Sequence, residues 1–271
     1  MDLLDADETK LIATVRQFRT INRLVSRSRS LIRTYILRPA RSRGLSRITV
    51  LDVGAGGCDI GQWIVRAAEG MGISARVICL DQDPRIIAYA RQCTAGNPDI
   101  EVVQGSAEEI ERWGPVDYIF ANHFLHHLPD AAIVALLPRI ARTARYGYVL
   151  NDLRRSRLSH LAYSLLAGLF FRGSFAYADG RLSIQRGFTA AELQLLVASA
   201  QRGAEQRAAT QQAPAQQEAA TRQEVTRQAP AQREAEQRAT TRQEAVARVV
   251  SLVPGRLAVV AHVPDRETQS V

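Results

Sequence analysis

Asp52-Val53-Gly54-Ala55-Gly56 sets an acid two residues before a glycine pair, directly after the apolar run Ile48, Val50, Leu51 and Val53. Glycine lets a chain leave a buried strand sharply and lets a ligand approach the main chain with no Cβ in the way. The dinucleotide pattern G-x-G-x-x-G requires glycine at 59, where Asp59 stands, and no G-x-x-x-x-G-K-[ST] occurs. A carboxylate at 52 repels a pyrophosphate and suits a cationic ligand. A second carboxylate, Asp81, ends the apolar segment ARVICLD at about the interval expected for an acid at the tip of the second strand of a βαβ unit. There it can accept both hydroxyls of a ribose in charge-assisted hydrogen bonds. A third group of chemical interest is Asn122-His123-Phe124-Leu125-His126-His127, after the apolar run VDYIFA. Imidazole has the near-neutral pKa that proton removal from a weakly acidic hydroxyl needs. His123, His127 and His126 are therefore the candidate bases, with His160 a fourth.

The elements that position these groups alternate between strand and helix. Strands are predicted at Ile48–Val53, Ala75–Asp81, Ile100–Gln104, Val116–Ala121 and Tyr146–Leu150, and helices at Ile60–Ala68, from Pro84 onward, and at Ala131–Thr143. Asp83 before Pro84 reads as an N-cap followed by proline at the first helical position. Ser106 with Glu109, and Thr189 with Glu192, read as capping boxes. Ala247–Leu252 and Arg256–Val263, joined around Pro254-Gly255, read as a hairpin. Strand ends in an open α/β sheet face the ligand, which points Asn151 and Asp152 toward a substrate.

Asp52-x-Gly54-x-Gly56 together with Asp81 resembles the class I S-adenosylmethionine (SAM) dependent methyltransferases, whose first motif is [DE]-x-G-x-G-x-G; Cys58 replaces the third glycine here. The resemblance covers about 48–200 plus 247–263. It implies an α/β, Rossmann-like, seven-stranded and mostly parallel sheet with a terminal antiparallel hairpin and helices on both faces. It also implies SAM as cofactor, held by Asp52, Gly54, Gly56, Asp81, Gln82, Ser106, Ala107 and Asn122. Ser106 stands where the family commonly has an acid on the adenine amino group, leaving part of that contact to the Ala107 amide. No [DNS]-P-P-[YFW] segment follows the fourth strand, and no cysteine lies there. Amino-group methylation and cytosine C5 chemistry are thereby disfavoured, and the expectation is O- or C-methylation of a small hydrophobic acceptor such as a phenolic, quinol or polyketide-like compound. An RNA methyltransferase using the basic N-terminal region and a non-catalytic SAM-fold binding protein stay open beside it.

Composition bounds the rest. At 271 residues and 46% hydrophobic content the chain suits one α/β domain with additions. Net charge is +8, yet Lys10 is the only lysine, and residues 1–47 hold eleven basic against four acidic residues. That region, with Leu11, Val15, Phe18, Ile21, Leu24, Leu31, Ile32 and Ile36 at helical spacing, predicts an N-terminal helical cap over 1–44. Its arginines admit a solvated face, a lid over the cofactor, an anionic membrane surface or RNA; of these partners nucleic acid is disfavoured. The three cysteines show no metal spacing and suit reduced thiols, and the acidic N-terminus lacks a signal-peptide plan; the expected location is cytoplasmic, with no metal. The apolar Leu161–Phe171 is too short to span a bilayer and reads as a lid and pocket wall for a greasy substrate. The catalytic domain is expected at 45–200 plus 247–265. It is interrupted by a Gln/Ala/Arg/Glu-rich insertion at 201–246, with exposed helical pieces broken at Pro214 and Pro230.

Overall fold

Each central strand carries apolar residues on both faces, and the sheet they form is covered by helices on both sides, as parallel sheets require. The structure, a computed structural model, describes residues 7–24, 26–156, 176–225, 246–252 and 255–262. Strands β1 (Arg47–Val53), β2 (Ser74–Asp81), β3 (Ile100–Gln104), β4 (Val116–Asn122), β5 (Ala144–Leu153), β6 (Val246–Leu252) and β7 (Arg256–His262) make one seven-stranded sheet in the order β3-β2-β1-β4-β5-β7-β6. Neighbours from β3 to β5 run parallel, while β7 is antiparallel to both β5 and β6. The order reverses between β1 and β4, which makes the crevice beyond their carboxyl ends the ligand position.

Alternate residues of one strand feed two cores. Leu51, Val53, Ile119 and Leu150 pack with Ile133, Leu137 and Ile140 of α6 (Asp130–Thr143) and with Leu193 and Val197 of a long helix, α8 (Ala190–Val225). Val50, Val77, Phe120 and Val149 face the other way, onto Trp63 and Ile64 of α4 (Asp59–Glu69) and the N-terminal helices. Those are α1 (Glu8–Leu24) and a continuous stretch made of α2 (Ser28–Ile32), a π-helical turn (Arg33–Leu37) and α3 (Arg38–Ser42). Leu31, Ile32, Ile36 and Leu37 supply its buried side. Leu11 and Val15 of α1 pack instead on Ile86 and Tyr89 of α5 (Pro84–Thr94). The N-terminal region is thus part of the fold's own core, and Val15 lies against Gly57, at the glycine corner.

Local signals set several boundaries. Asp83 caps α5 by accepting the Arg85 amide at 2.9 Å. Thr189 and Glu192 form the full reciprocal box that opens α8, at 2.8 and 3.2 Å. At the shorter segment Ala107–Trp113 the prediction changes in detail: it is a 3-10 helix, and Ser106 Oγ accepts from the Glu108 amide at 3.1 Å. A further helix, α7 (Ala176–Arg186), precedes α8. Two expectations are corrected. Strand β5 extends through Asn151 and Asp152 to Leu153, because β7 pairs with it along that whole length. The predicted break at Pro214 is absent, since α8 runs on to Val225. Alanine, glutamine, glutamate and arginine on either side favour helix strongly enough to outweigh the proline penalty. The change of composition at 201 therefore falls within one helix. The predicted lid at 161–171, His160 and Pro230 lie outside the described residues. Among the described residues no helix is long and apolar enough to cross a membrane.

Gly147 shows how closely β5 and β7 meet. Its φ is +153°, and a Cβ there would sit 2.2 Å from the Ala261 carbonyl oxygen, a backbone atom that cannot step aside. Gly147→Ala is expected to destabilise the fold by about 3 kcal/mol or more, read as a lowered denaturant midpoint, because overpacking against backbone has no rotamer escape.

Candidate functional site

The site begins where β1 ends. Gly54 (φ +68°) and Gly56 (φ +55°) turn the chain away from the sheet, and their loop is tied to the tip of β2 by the Gly54 and Ala55 amides, which both donate to the Leu80 carbonyl, at 2.8 and 3.0 Å. A Cβ on Gly54 would lie 3.0 Å from the Phe124 ring, whereas one on Gly56 would meet nothing within 4 Å. The Gly56 backbone therefore borders open space, as a ligand cradle should.

Cys58, at the place of the third glycine, also has a left-handed backbone (φ +57°) and is the N-cap of α4. The motif's preference for glycine here follows from that conformation, which costs an L residue roughly 1–2 kcal/mol. The thiol turns inward, fully buried against Cys79, so the departure strains the backbone without filling the cradle.

Asp81 gathers the corner. Its Oδ2 accepts the Gly56 amide at 3.0 Å, its Oδ1 accepts the Asp83 amide at 3.2 Å, and its carbonyl accepts the Gly105 amide at 3.0 Å. The ends of β1, β2 and β3 are thereby fixed to one residue. Burial raises the Asp81 carboxyl, against the lowering by the amides of Asp83, Gly56 and Gln82. Ser106 and Ala107 follow Gly105 at the tip of β3, and Gln82 follows Asp81, where its carbonyl accepts from Gln104 at 3.3 Å. Asp52, Gly54, Gly56, Asp81, Gln82, Ser106 and Ala107 thus come together at the ends of three adjacent strands.

Asp52 is 2% exposed, and its Oδ2 has no partner among the described residues. Burial, followed by the charges of Asp59 and Asp81, holds its carboxyl well above the usual carboxylate range. Stability linked to such a group is fully present below its unfolded value near 3.8 and is lost as pH rises through the folded value. Asp52→Asn is accordingly expected to raise unfolding stability at pH 7 by about 1 kcal/mol, with the gain vanishing as the pH falls toward 3.8, while weakening any cationic ligand of the corner. Denaturant melts at the two pH values, with and without the ligand, read both halves.

The tips of β4 and β5 form the facing side. Asn122 Oδ1 accepts from Asn151 Nδ2 at 2.7 Å, and the same Asn151 amide group donates to the Ser26 carbonyl at 2.7 Å. Asn151 therefore binds the N-terminal region across the strand tips instead of pointing freely to a substrate, and its Oδ1 is buried without a partner. Asp152 is fully buried and accepts His126 Nδ1 at 2.6 Å, the His126 amide at 3.1 Å and the Leu153 amide at 2.7 Å. Burial alone would raise its carboxyl, but the His126 ring and the amides prevail and hold it below the usual value. With Asp152 accepting at Nδ1, the neutral His126 ring carries its proton there and leaves the lone pair on Nε2. That Nε2 is buried and has no partner among the described residues.

The three histidines are thus distinguished. His123 has a left-handed backbone (φ +56°), and its Nε2 accepts from Arg256 Nη1. Burial, with the Arg256 charge next in weight, holds it well below the usual imidazole value. His127 is exposed and stacks on the His126 ring with centroids 4.2 Å apart. His126 pairs with a buried carboxylate and offers a nitrogen that has no hydrogen-bond partner among the described residues. Sequence reasoning missed Arg256, which opens β7 directly after the hairpin turn and is 3% exposed. Its position, distant in sequence from every motif, carries no local signal.

Residues 50–147 match a family described as "Methyltransferase domain". The chain is similar to demethylmenaquinone methyltransferase of Bacillus licheniformis, 27% identical over 125 residues that make up 46% of this chain and 52% of that protein. It spans about half the length of this curated relative. Among solved structures it resembles a SAM-dependent methyltransferase from Aquifex aeolicus (TM-score 0.50, 15% identity, 95% of this chain and 99% of that one). It also resembles human N-acetylserotonin methyltransferase in complex with SAM (TM-score 0.56, 14% identity, 94% of this chain and 56% of that one). At these identities the structural likeness concerns the fold.

Proposed function

We propose that this chain, whose residues 50–147 match a methyltransferase domain, is a SAM-dependent methyltransferase that transfers a methyl group to a hydroxyl of a small hydrophobic acceptor. The observation that carries this reading is the buried His126–Asp152 pair, with Nε2 unpartnered, at the strand tips facing the acidic glycine corner.

The residues fit the cofactor. Asp81 offers a carboxylate to a ribose diol, the Gly54–Gly56 backbone offers a cradle free of Cβ atoms, and the orphaned Oδ2 of Asp52 favours positive charge nearby. Ser106, Ala107 and Gln82 border the same corner, and Asn122 stands at the tip of β4. When bound, SAM supplies an electrophilic methyl group on a sulfonium. The protein's own work is then to align a nucleophile and exclude water. Asp152 fixes the His126 ring and its tautomer, and Nε2 takes the hydroxyl proton as the oxygen becomes nucleophilic. His123, with Nε2 committed to Arg256, positions that arginine instead of acting as base. The N-terminal helices close over the tips through the Ser26–Asn151 contact and over the corner through Val15, which supports a lid role for residues 1–44.

A quinol or phenolic acceptor is consistent with the hydroxyl chemistry, and the Bacillus relative is by name a demethylmenaquinone methyltransferase. The test is incubation of the full chain with SAM and a panel of phenols, quinols, polyketide-like enols, amines and RNA, read by mass spectrometry. A product heavier by one methylene, absent when either the protein or SAM is left out, supports the reading. Methylation confined to RNA or to amines overturns it.

A further inference from the structure

Arg256 is a buried cation with no counter-ion among the described residues. It is 3% exposed, makes no ion pair among the described residues, and donates a hydrogen bond from Nη1 to the His123 ring. The nearest acid of consequence, Asp152, is already engaged by the His126 ring and two amides. Buried guanidinium groups are ordinarily paired, because an uncompensated charge in a low-dielectric setting is costly. Burial does press on this one, lowering its pKa to about 10 against the steadying charge of Asp152.

The surroundings show what would complete it. His123 amide donates to the Asn151 carbonyl at 2.8 Å, which fixes the His123 ring and through it one edge of the guanidinium. On the same strand tips, Asn151 Oδ1 and His126 Nε2 are buried polar atoms with no partner. Among the described residues, three unmet demands thus lie at the tips of β4 and β5 and the start of β7: a cation without an anion, an amide oxygen without a donor, and an imidazole nitrogen without a partner. Across the crevice the charges are reversed, with Asp52, Asp59 and Asp81 clustered at the glycine corner. The site is polarised, acidic toward the cofactor and cationic toward the acceptor.

We infer that Arg256 binds an ionised oxygen of the methyl acceptor, so that the acceptor class is a hydroxy acid: an aromatic or enolic hydroxyl with a carboxylate beside it. The inference rests on the methyltransferase reading only for the word acceptor; the anion subsite itself is built from this chain's own groups. Guanidinium and carboxylate match as a two-pronged, charge-assisted pair, which fixes the orientation of the neighbouring hydroxyl as well as its affinity. Specificity follows from the same feature, since a neutral isostere leaves the arginine buried and unpaired.

The experiment is calorimetry on the full chain with 2-hydroxybenzoate and its neutral isostere 2-hydroxybenzamide, each with and without S-adenosylhomocysteine (SAH). Wild type is expected to bind the acid about tenfold or more tightly than the amide, Arg256→Met to lose that preference, and Arg256→Lys to keep part of it. Equal binding of the two probes by wild type, binding of neither, or an undiminished preference in Arg256→Met overturns the inference. Should Arg256→Met fail to fold in a thermal melt, the wild-type comparison decides by itself. Failure of SAH to bind would count against the methyltransferase reading, whereas the acid–amide difference measured without SAH bears on Arg256 alone.

Discussion

Asp81→Ala is expected to weaken SAH binding by about 100-fold or more, the equivalent of two charge-assisted hydrogen bonds. The loss has two sources. The carboxylate that would meet the ribose diol disappears, and the loop it organises loses its anchor, because the same side chain receives the Gly56 and Asp83 amides. Asp81→Asn separates them. Its oxygen can still accept one amide, so the corner stays in place while the charge is lost, and the expected weakening is about tenfold. Titration calorimetry of the two variants beside wild type checks this. Equal affinity in all three would remove Asp81 from the cofactor site.

The second large effect concerns the pair behind the proton. His126→Ala is expected to lower kcat by about 10²–10⁴-fold, the usual contribution of a positioned general base. Asp152→Asn is expected to do nearly as much without removing the ring. An Asn amide donates to Nδ1, which moves the imidazole proton to Nε2 and leaves no lone pair where the acceptor hydroxyl needs one. Its oxygen, in the place of Oδ2, still accepts the His126 amide, while the Leu153 amide, which donates to Oδ1 now, loses its acceptor. The pH behaviour gives a further check on the pair. A carboxylate held low in the fold contributes stability above its unfolded value near 3.8 and loses it as the pH falls through the folded value, and Asp152→Asn removes that acid-side dependence. Full turnover in His126→Ala would reduce the pair to a brace for the loop after β4.

Much of this architecture was legible because its signals are local. Asp83-Pro84 and Thr189 with Glu192 announce helix starts through hydrogen bonds that span two or three residues. Strand β3 begins and ends where the apolar run Ile100–Gln104 does. The acid–glycine corner and Asp81 meet in space because a βαβ unit brings successive strand tips side by side. What was not legible depends on distant partners. Asn151 and Asp152 read as a strand end because they are polar, yet β7 pairs beyond them and His126 satisfies Asp152. The three histidines look alike in sequence and are separated only by Arg256, Asp152 and solvent. Arg256 itself is made by the antiparallel return of β7 beside β5, a long-range pairing with no trace at residue 256. Pro214 shows the converse limit, a strong local breaker overruled by the helical preference of its neighbours.

The fit of the acidic glycine corner to a sulfonium cofactor is tested most directly by one titration. SAM and SAH are added to the wild-type full chain in a calorimeter. Saturable binding of both at one site per chain, lost in Asp81→Ala, is the predicted result; a folded wild-type chain that takes up neither would contradict it.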